Sequence, residues 1–252
     1  MFNGFKYFIN YLDVGFSKAF LGSQSIARKV LKDRLMAKLN KDIDGREFTI
    51  ASGVSPSTDI PQFDDGIASG RSNGAGVYSS AYRVDIIPSV FKEIIASHHQ
   101  EIVSYLGKGF LYEPPLFFRT LNMPDALATY DVYSNVWHLD SHDGDRLLKI
   151  FVCLMDIGEQ DGPFMFLDHE NTLKYWLDLV ERWDFKKIAA VPQFSEQQFA
   201  VGVKGTYLII NTANCMHRAS IPQKFRDMMQ ITLYPNWCVA PDRKAYVSDA
   251  VI

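Results

Sequence analysis

The sequence has few cysteines and no excess of basic residues. Only three cysteines occur among 252 residues, Cys153, Cys215 and Cys238, and so small and odd a number excludes a disulfide framework. A reducing, cytoplasmic setting is therefore expected. Lys and Arg number 26 against 29 Asp and Glu, for a net charge of -3. Because proteins that grip a polyanion usually carry a basic excess, we expect no nucleic-acid partner.

Long apolar runs are also lacking. Lys6, Asp13 and Lys18 interrupt the aromatic-rich first 21 residues, whereas a signal peptide or a membrane-spanning helix needs an uninterrupted apolar stretch. We therefore expect no transmembrane segment. The apolar residues of this stretch instead recur at helical spacing: Phe5, Phe8, Ile9, Leu12, Phe16 and Phe20. They predict an amphipathic helix that packs on the domain. The alternative is a helix that lies on a membrane surface or lines a substrate entrance.

What is present indicates one domain spanning 1–252 with a sizeable core, since 47% of the residues are hydrophobic. Residues 1–108 are predicted to be mainly helix and loop, with one helix that begins near Pro88 and ends at Gly107. Residues 109–240 contain short segments rich in β-branched and aromatic residues, interrupted by one helix over 173–190. This order predicts an α+β protein whose strand-rich part forms a sandwich or a barrel.

Three residues in the strand-rich part have the chemistry of metal ligands. The segment DVYSNVWHLD has the composition of a strand, and alternation along a strand would place His138 and Asp140 on the same side. His217, which ends the segment GTYLIINTANCMH, is the natural third ligand. Two neutral imidazoles and one carboxylate on one face of an octahedron suit Fe(II) and leave three positions open.

Arg226 follows His217 and precedes the predicted strand DMMQITLYP. Its guanidinium has a fixed charge and can form a bidentate pair with a carboxylate. A buried site for a dicarboxylate would need such a group. Tyr133, Asn135 and Lys149 flank the predicted ligands in sequence, and we expect them to contact a cosubstrate or a substrate, or else to serve as ordinary strand residues.

In three stretches the chain resembles the Fe(II)/2-oxoglutarate-dependent oxygenases, specifically the phytanoyl-CoA dioxygenase-like group. WHLDSHD resembles the proximal His-x-Asp segment, and LLKIFVCLMDIGEQDGPFMFLDHENT resembles the strand, Gly-Pro turn and strand that follow it. GVKGTYLIINTANCMHRASIPQKFRDMMQITLYP resembles the hairpin, the distal histidine and the cosubstrate-binding arginine. Together these stretches span roughly residues 130–235.

The resemblance implies a double-stranded β-helix (jelly-roll) core with flanking N-terminal helices. It also implies that His138, Asp140 and His217 bind Fe(II) and that Arg226 binds the distal carboxylate of 2-oxoglutarate, with O2 as the oxidant. Members that halogenate lack the carboxylate ligand, so Asp140 implies hydroxylation or another oxidation. The resemblance as a whole implies a hydroxylase that acts on a small molecule and releases succinate and CO2.

The sequence departs from the family pattern at two places. Met228 stands where an Arg-x-Ser pairing would place a serine, and residues 168–171, Asp-His-Glu-Asn, replace the common Pro-Gly-Ser-His turn. Two other functions stay open at this point. A zinc hydrolase would use His138, Asp140 and His142, and a non-enzymatic jelly-roll binding module would keep the metal residues as vestiges.

Overall fold

A computed structural model describes residues 51–70, 77–130, 132–140, 146–172, 175, 193–236 and 246–247. The helices predicted within residues 1–40, and nearly all of the helix predicted over 173–190, lie outside the described residues. The flanking N-terminal helices are therefore a prediction that the structure does not test.

Two helices precede most of the strands, α1 (Ser89–Ser97) and α2 (His99–Leu106). The sequence predicted one continuous helix here, and this was wrong: His98 leaves the helical conformation, with φ -114° and ψ 21°. Pro88 comes directly before α1 and Gly107 directly after α2, as predicted. Gly107 has φ 90°, a conformation in which a side chain would be strained.

Twelve strands are described, and every pairing between them is antiparallel. They are β1 (Ala51–Val54), β2 (Ser69–Gly70), β3 (Ser79–Arg83), β4 (Leu111–Tyr112), β5 (Leu116–Leu121), β6 (Leu148–Cys153), β7 (Phe164–Phe166), β8 (Gln198–Ala200), β9 (Thr206–Ile210), β10 (His217–Ala219), β11 (Phe225–Tyr234) and β12 (Tyr246–Val247). Short 3-10 turns cover Asp125–Leu127 and Glu159–Asp161.

The strands form a large sheet and a small sheet. The large sheet has the order β1-β9-β6-β11-β5-β3-β2, with β4 pairing to β11 and β12. The small sheet has the order β10-β7-β8, and an isolated bridge joins His138 to His217 at its β10 edge. Most strands that are consecutive in the sequence are therefore not paired with each other: they lie in different sheets or are separated within one sheet.

The large sheet is covered on both faces, which explains why β6 is apolar at nearly every position. Leu148, Ile150 and Val152 pack in one cluster with Phe91 and Ile94 of α1. Side chains of β6 that point the other way pack in a second cluster with residues of the small sheet, namely Phe151 and Cys153 with Phe164 and Phe166. The layers are thus helices, large sheet and small sheet.

The described part of the chain is mostly antiparallel sheet with few helices, which agrees with the strand-rich class predicted for residues 109–240. Strands overlap five segments whose composition is that of strands, 110–122, 147–157, 162–168, 206–220 and 227–235, and β11 begins two residues before the last of them. Within the described ranges, no helix has both the length and the apolar character needed to cross a membrane.

Candidate metal centre

The segment that carries His138 and Asp140 is not a strand, contrary to the sequence-based prediction. Residues 132–137 form bends, and Ser134 has φ 66°, the one positive φ of a non-glycine residue in the described part of the chain. Pairing begins only at His138, whose backbone N–H and carbonyl exchange hydrogen bonds of 3.0 Å with those of His217. The Asp140 N–H then donates to the Thr212 carbonyl at 3.0 Å.

His217 begins β10. The sequence suggested instead that it ends the preceding strand segment, and this was wrong. Residues 211–216 turn between the two strands because the Asn211 Oδ1 accepts hydrogen bonds from the N–H groups of Ala213 (2.9 Å) and Asn214 (3.2 Å). This turn moves the chain from the large sheet to the small one, and it places His217 beside His138.

The three predicted ligands lie together. One ligand atom from each of His138, Asp140 and His217 lies within 4.8 Å of the others. The His217 Nε2 is 3.4 Å from the Asp140 Oδ2, and the two imidazole centroids are 4.2 Å apart. Two imidazoles and a carboxylate at this spacing fit a divalent metal ion.

A hydrogen bond from each Nδ1 to a backbone carbonyl fixes the orientation of both imidazoles. The Nδ1 of His138 lies 2.9 Å from the Val136 carbonyl, and the Nδ1 of His217 lies 3.0 Å from the Cys215 carbonyl. A carbonyl can only accept, so Nδ1 carries the proton in each ring and Nε2 is left with its lone pair. Metal-binding histidines are typically held in this way.

Lys149 contacts the carboxylate of the candidate ligand Asp140 directly. Its Nζ donates to the Asp140 Oδ2 at 2.7 Å, and both side chains are largely buried. Burial alone would raise the pKa of Asp140, but Lys149 and the neighbouring imidazoles outweigh it and hold this pKa well below its usual value. Burial and the neighbouring His217 lower the pKa of His138 to about 3. Both groups are therefore in the deprotonated forms that a metal ion requires.

These residues line a cavity of about 190 Å³ between the two sheets. Phenylalanine side chains from both sheets form part of its wall, namely Phe118, Phe151 and Phe164. The Phe164 ring stacks on the His217 imidazole at 5.3 Å. Phenylalanine side chains at these positions make the surroundings of the three candidate ligands less polar.

Arg226 lines the same cavity and is only 1% exposed. Its Nη1 donates to the carbonyl of Gly162, and its Nη2 donates to the Thr120 Oγ1 at 3.1 Å. Gly162 has φ 68°, and a Cβ there would lie 2.5 Å from the backbone nitrogen of Pro222. Only glycine fits at this turn, which brings a carbonyl to the guanidinium.

Tyr133 also lines the cavity, 4% exposed, with its hydroxyl donating to the Leu121 carbonyl at 3.4 Å. Burial raises the pKa of Tyr133 to about 12, so the phenol stays neutral.

Asn135 is fully buried and is not among the residues that line the cavity. The contacts of Asn135 are with the local backbone: Oδ1 accepts from the N–H groups of Val132 and Tyr133, and Nδ2 donates to the carbonyls of Ala128 and Tyr130. Cosubstrate binding by Asn135 stays an untested prediction.

His142 lies outside the described residues, so the structure does not test it as a ligand. Met228 lies in the cavity wall, two residues after Arg226 along β11, and supplies no hydroxyl.

Residues 168–171 form the turn that replaces Pro-Gly-Ser-His. Within it, the Asp168 Oδ1 accepts the Asn171 N–H at 2.8 Å. Directly after it, the Thr172 Oγ1 accepts the Met216 N–H at 2.9 Å. Thr172, the residue directly after this turn, thus supports the residue before His217.

Sequence reasoning missed the residues around Arg226. Ser79 and Thr120 line the cavity beside it, each 2% exposed, and Gly162 supplies a carbonyl. The Gly162-Pro163 turn was visible in the sequence. Ser79 and Thr120 belong to strands distant in sequence, and only the sheet register brings them to Arg226.

No family model matches the chain, and no curated protein matches it. Solved structures with similar folds include HygX from Streptomyces hygroscopicus with nickel, 2-oxoglutarate and hygromycin B bound (11% identity, 79% of this chain and 87% of that chain, TM-score 0.42). A Pseudomonas putida prolyl-4-hydroxylase is similar at 11% identity over 68% of this chain and 79% of its own (TM-score 0.41). SnoN, a non-heme alpha ketoglutarate dependent epimerase from nogalamycin biosynthesis, is similar at 11% identity over 69% and 71% (TM-score 0.39).

Proposed function

We propose that this chain is an Fe(II)- and 2-oxoglutarate-dependent dioxygenase that hydroxylates a small molecule and releases succinate and CO2. The observation that carries the proposal is the grouping of His138, Asp140 and His217, with ligand atoms within 4.8 Å, in a cavity that also contains Arg226.

The topology of the strands supports a double-stranded β-helix as the frame of the site. Four strands of the large sheet are adjacent in the order β5-β11-β6-β9, and they face His138, β10, β7 and β8 of the small sheet. Along the chain these eight segments alternate between the sheets, except that β7 and β8 follow each other within the small sheet. We propose that they form the jelly-roll core of a single oxygenase domain of the phytanoyl-CoA dioxygenase-like kind, comprising residues 1–252.

The donor set fits Fe(II). Both imidazoles present Nε2 because their Nδ1 atoms bond to carbonyls, and Asp140 is held in its charged form. Two nitrogens and one carboxylate on one face leave positions for a bidentate cosubstrate and for O2. When bound, the iron supplies the activation of O2, with electrons from the oxidative decarboxylation of 2-oxoglutarate to succinate.

Arg226 is placed to bind the distal carboxylate of 2-oxoglutarate. Its guanidinium is buried in the cavity wall, where a charge-assisted, bidentate pair with a carboxylate is stronger than in water. Tyr133 closes the wall near Arg226 as a neutral phenol. Lys149 holds the Asp140 carboxylate, and its positive charge favours anions in the cavity.

The protein's own share of the chemistry is to orient these groups and to exclude water. Phe118, Phe151 and Phe164 form an apolar wall beside the ligands. Such a wall would protect a reactive centre from water and from side reactions.

The test is 2-oxoglutarate turnover. We would incubate the Fe(II)-loaded protein with 2-oxoglutarate and ascorbate in air and measure succinate and O2 consumption, with His217→Ala and His169→Ala in parallel. His169 is exposed and is not one of the three ligands, so His169→Ala is a matched control. We expect succinate from the wild type and from His169→Ala, but none above background from His217→Ala. Turnover by His217→Ala at the wild-type rate would contradict the proposal.

A further inference from the structure

The cavity of the metal centre is closed at the end where Arg226 lies, and Arg226 is 1% exposed. Gln230 lies four residues further along β11 and lines the same cavity. It is in register with Leu116 of β5 on one side and Phe151 of β6 on the other. Among the described cavity residues of the large sheet, only Leu116, Lys149 and Gln230 are partly exposed. The cavity of the described chain therefore opens at the end away from Arg226.

Gln230 and Lys149 can reach one ligand at this open end. Lys149 lies two residues before Phe151 on β6, and Phe151 is the register partner of Gln230. Gln230 and Lys149 are thus diagonal neighbours on adjacent strands. Such neighbours lie about 7 Å apart, within reach of long side chains. Because both residues line the cavity, both can contact a small group placed between them.

The ammonium of Lys149 has N–H donors to spare. It carries three, and one of them donates to the Asp140 Oδ2 at 2.7 Å. The other two have no acceptor within the described part of the chain. The Lys149 side chain is only 13% exposed, and buried polar groups are normally satisfied by protein, water or a ligand. These donors therefore favour an acceptor that comes from outside the chain.

The side-chain amide of Gln230 adds donors of its own. It makes no hydrogen bond to any of the described residues, so its two N–H groups are free to donate. Hydrogen bonds from an ammonium and a neighbouring amide suit a carboxylate, which accepts through two oxygens. The register partners of Gln230, Leu116 and Phe151, are apolar. The surface around the two donors therefore suits the hydrocarbon part of the same ligand.

The balance of charge in the cavity also favours an anion. Among the described residues that line it, Lys149 and Arg226 are cations and Asp140 is the one carboxylate. Both imidazoles are neutral when they bind a metal ion. An Fe(II) ion and a 2-oxo diacid carry equal and opposite charges, so the occupied site keeps an excess of one positive charge. A buried charge is unfavourable without a partner, and a monoanion would supply it.

We infer that Gln230 and Lys149 bind the carboxylate of the primary substrate, and that this substrate is a small monocarboxylic acid with an apolar body. This inference rests on the proposed function and names its substrate class. Lys149 supplies the charge, and Gln230 is the specificity-determining residue, since it contributes hydrogen bonds without a charge of its own. Leu116 and Phe151 contact the apolar body.

The test compares acids with the corresponding neutral amides. Anaerobic calorimetry on the Fe(II)-loaded protein, with and without saturating 2-oxoglutarate, would measure the Kd of hexanoate and of phenylacetate. Hexanamide and phenylacetamide have the same carbon skeletons without the charge. The variants are Gln230→Leu and Gln230→Glu. Gln198→Glu is the matched control, since Gln198 is an exposed β8 glutamine that is not among the cavity-lining residues.

We expect the wild type with 2-oxoglutarate to bind at least one acid about 10-fold or more tightly than its amide, as for hydrogen bonds to a charged group. Gln230→Leu should raise the Kd of that acid by about 10-fold. Gln230→Glu should raise it further, because the new carboxylate repels the ligand and pairs with Lys149. The Kd of the amide should change by less than about threefold in Gln230→Leu. Gln198→Glu should bind both compounds like the wild type.

The inference would be overturned by acids that bind no more tightly than their amides, or that do not bind at millimolar concentrations. Equal weakening of acid and amide in Gln230→Leu would show a merely structural role and would also overturn it. Acid binding that saturating 2-oxoglutarate abolishes would assign the two residues to the cosubstrate instead. In these cases 2-oxoglutarate still binds and the proposed function stands, whereas a wild type that binds no 2-oxoglutarate would overturn the proposed function itself.

Discussion

The backbones of His138 and His217 are hydrogen-bonded to each other in both directions, each N–H donating to the other's carbonyl at 3.0 Å. This bridge joins two residues that are 79 positions apart in the sequence, and it places their imidazole centroids 4.2 Å apart. The geometry of the candidate centre is thus set by the edge of the small sheet. Asp140 joins it through the hydrogen bond of its N–H to Thr212.

The first prediction separates the proposed centre from a zinc hydrolase that uses His142. We expect His142→Ala to bind Fe(II) or Zn(II) with wild-type affinity, because the three ligands of the proposed centre remain in place. Titration of the metal-free protein with each ion measures this. A loss of metal affinity in His142→Ala comparable to that in His138→Ala would favour the hydrolase instead.

A second prediction concerns Lys149. Lys149→Met removes the cation that holds Asp140 ionised, and burial then raises the pKa of that carboxyl, so a proton competes with the metal. We expect the metal affinity at neutral pH to fall by about 10-fold or more, as for other residues that support a ligand. Lys149→Arg is the matched control and should keep most of the affinity. Tighter metal binding by Lys149→Met would mean that Lys149 competes with the metal for Asp140.

A third prediction follows from the lowered pKa of His138. Between its ordinary pKa of 6.5 and the folded value of about 3, the unfolded chain binds a proton that the folded protein does not. The free energy of unfolding should therefore fall as the pH falls through this window, by about 1.3 kcal/mol from pH 7 to pH 5.5. Urea unfolding of the metal-free protein at several pH values, compared with His138→Gln, measures this contribution. Identical pH dependence in the two proteins would contradict it.

A fourth prediction assigns Asn135 to the fold and not to the cosubstrate. Its side chain makes four hydrogen bonds to the backbone of residues 128–133, and Asn135→Ala would leave those buried groups without their partner. We expect the free energy of unfolding to fall by about 3 kcal/mol. The Kd of 2-oxoglutarate for the folded protein should change by less than about threefold.

The control for this prediction is Asn122→Ala, which removes one exposed hydrogen bond to the Gln223 carbonyl. It should lower the free energy of unfolding by well under half as much as Asn135→Ala. A stable Asn135→Ala protein with much weakened 2-oxoglutarate binding would return Asn135 to the cosubstrate site.

The sequence was sufficient to identify the candidate metal ligands and the candidate carboxylate-binding arginine. His138, Asp140, His217 and Arg226 stand out because charged and metal-binding side chains are rare among the apolar segments around them. The structure groups all four around one cavity.

What the sequence could not supply depends on contacts between distant segments. The composition of DVYSNVWHLD is that of a strand, but the Asn135 amide binds the backbone of residues 128–133 and holds the segment in bends. Likewise, the register between β3, β5 and β11 brings Ser79 and Thr120 to Arg226, and no local pattern encodes it.

The most direct test of the account is anaerobic reconstitution with Fe(II) and 2-oxoglutarate, monitored by the weak visible charge-transfer band of the chelated complex. Wild type and Arg226→Ala would be titrated side by side. We predict a band in the wild type that in Arg226→Ala is lost or needs about 10-fold or more cosubstrate, since the variant lacks the charged partner of the distal carboxylate. Iron that binds to the wild type without producing a band on addition of 2-oxoglutarate would contradict the central claim.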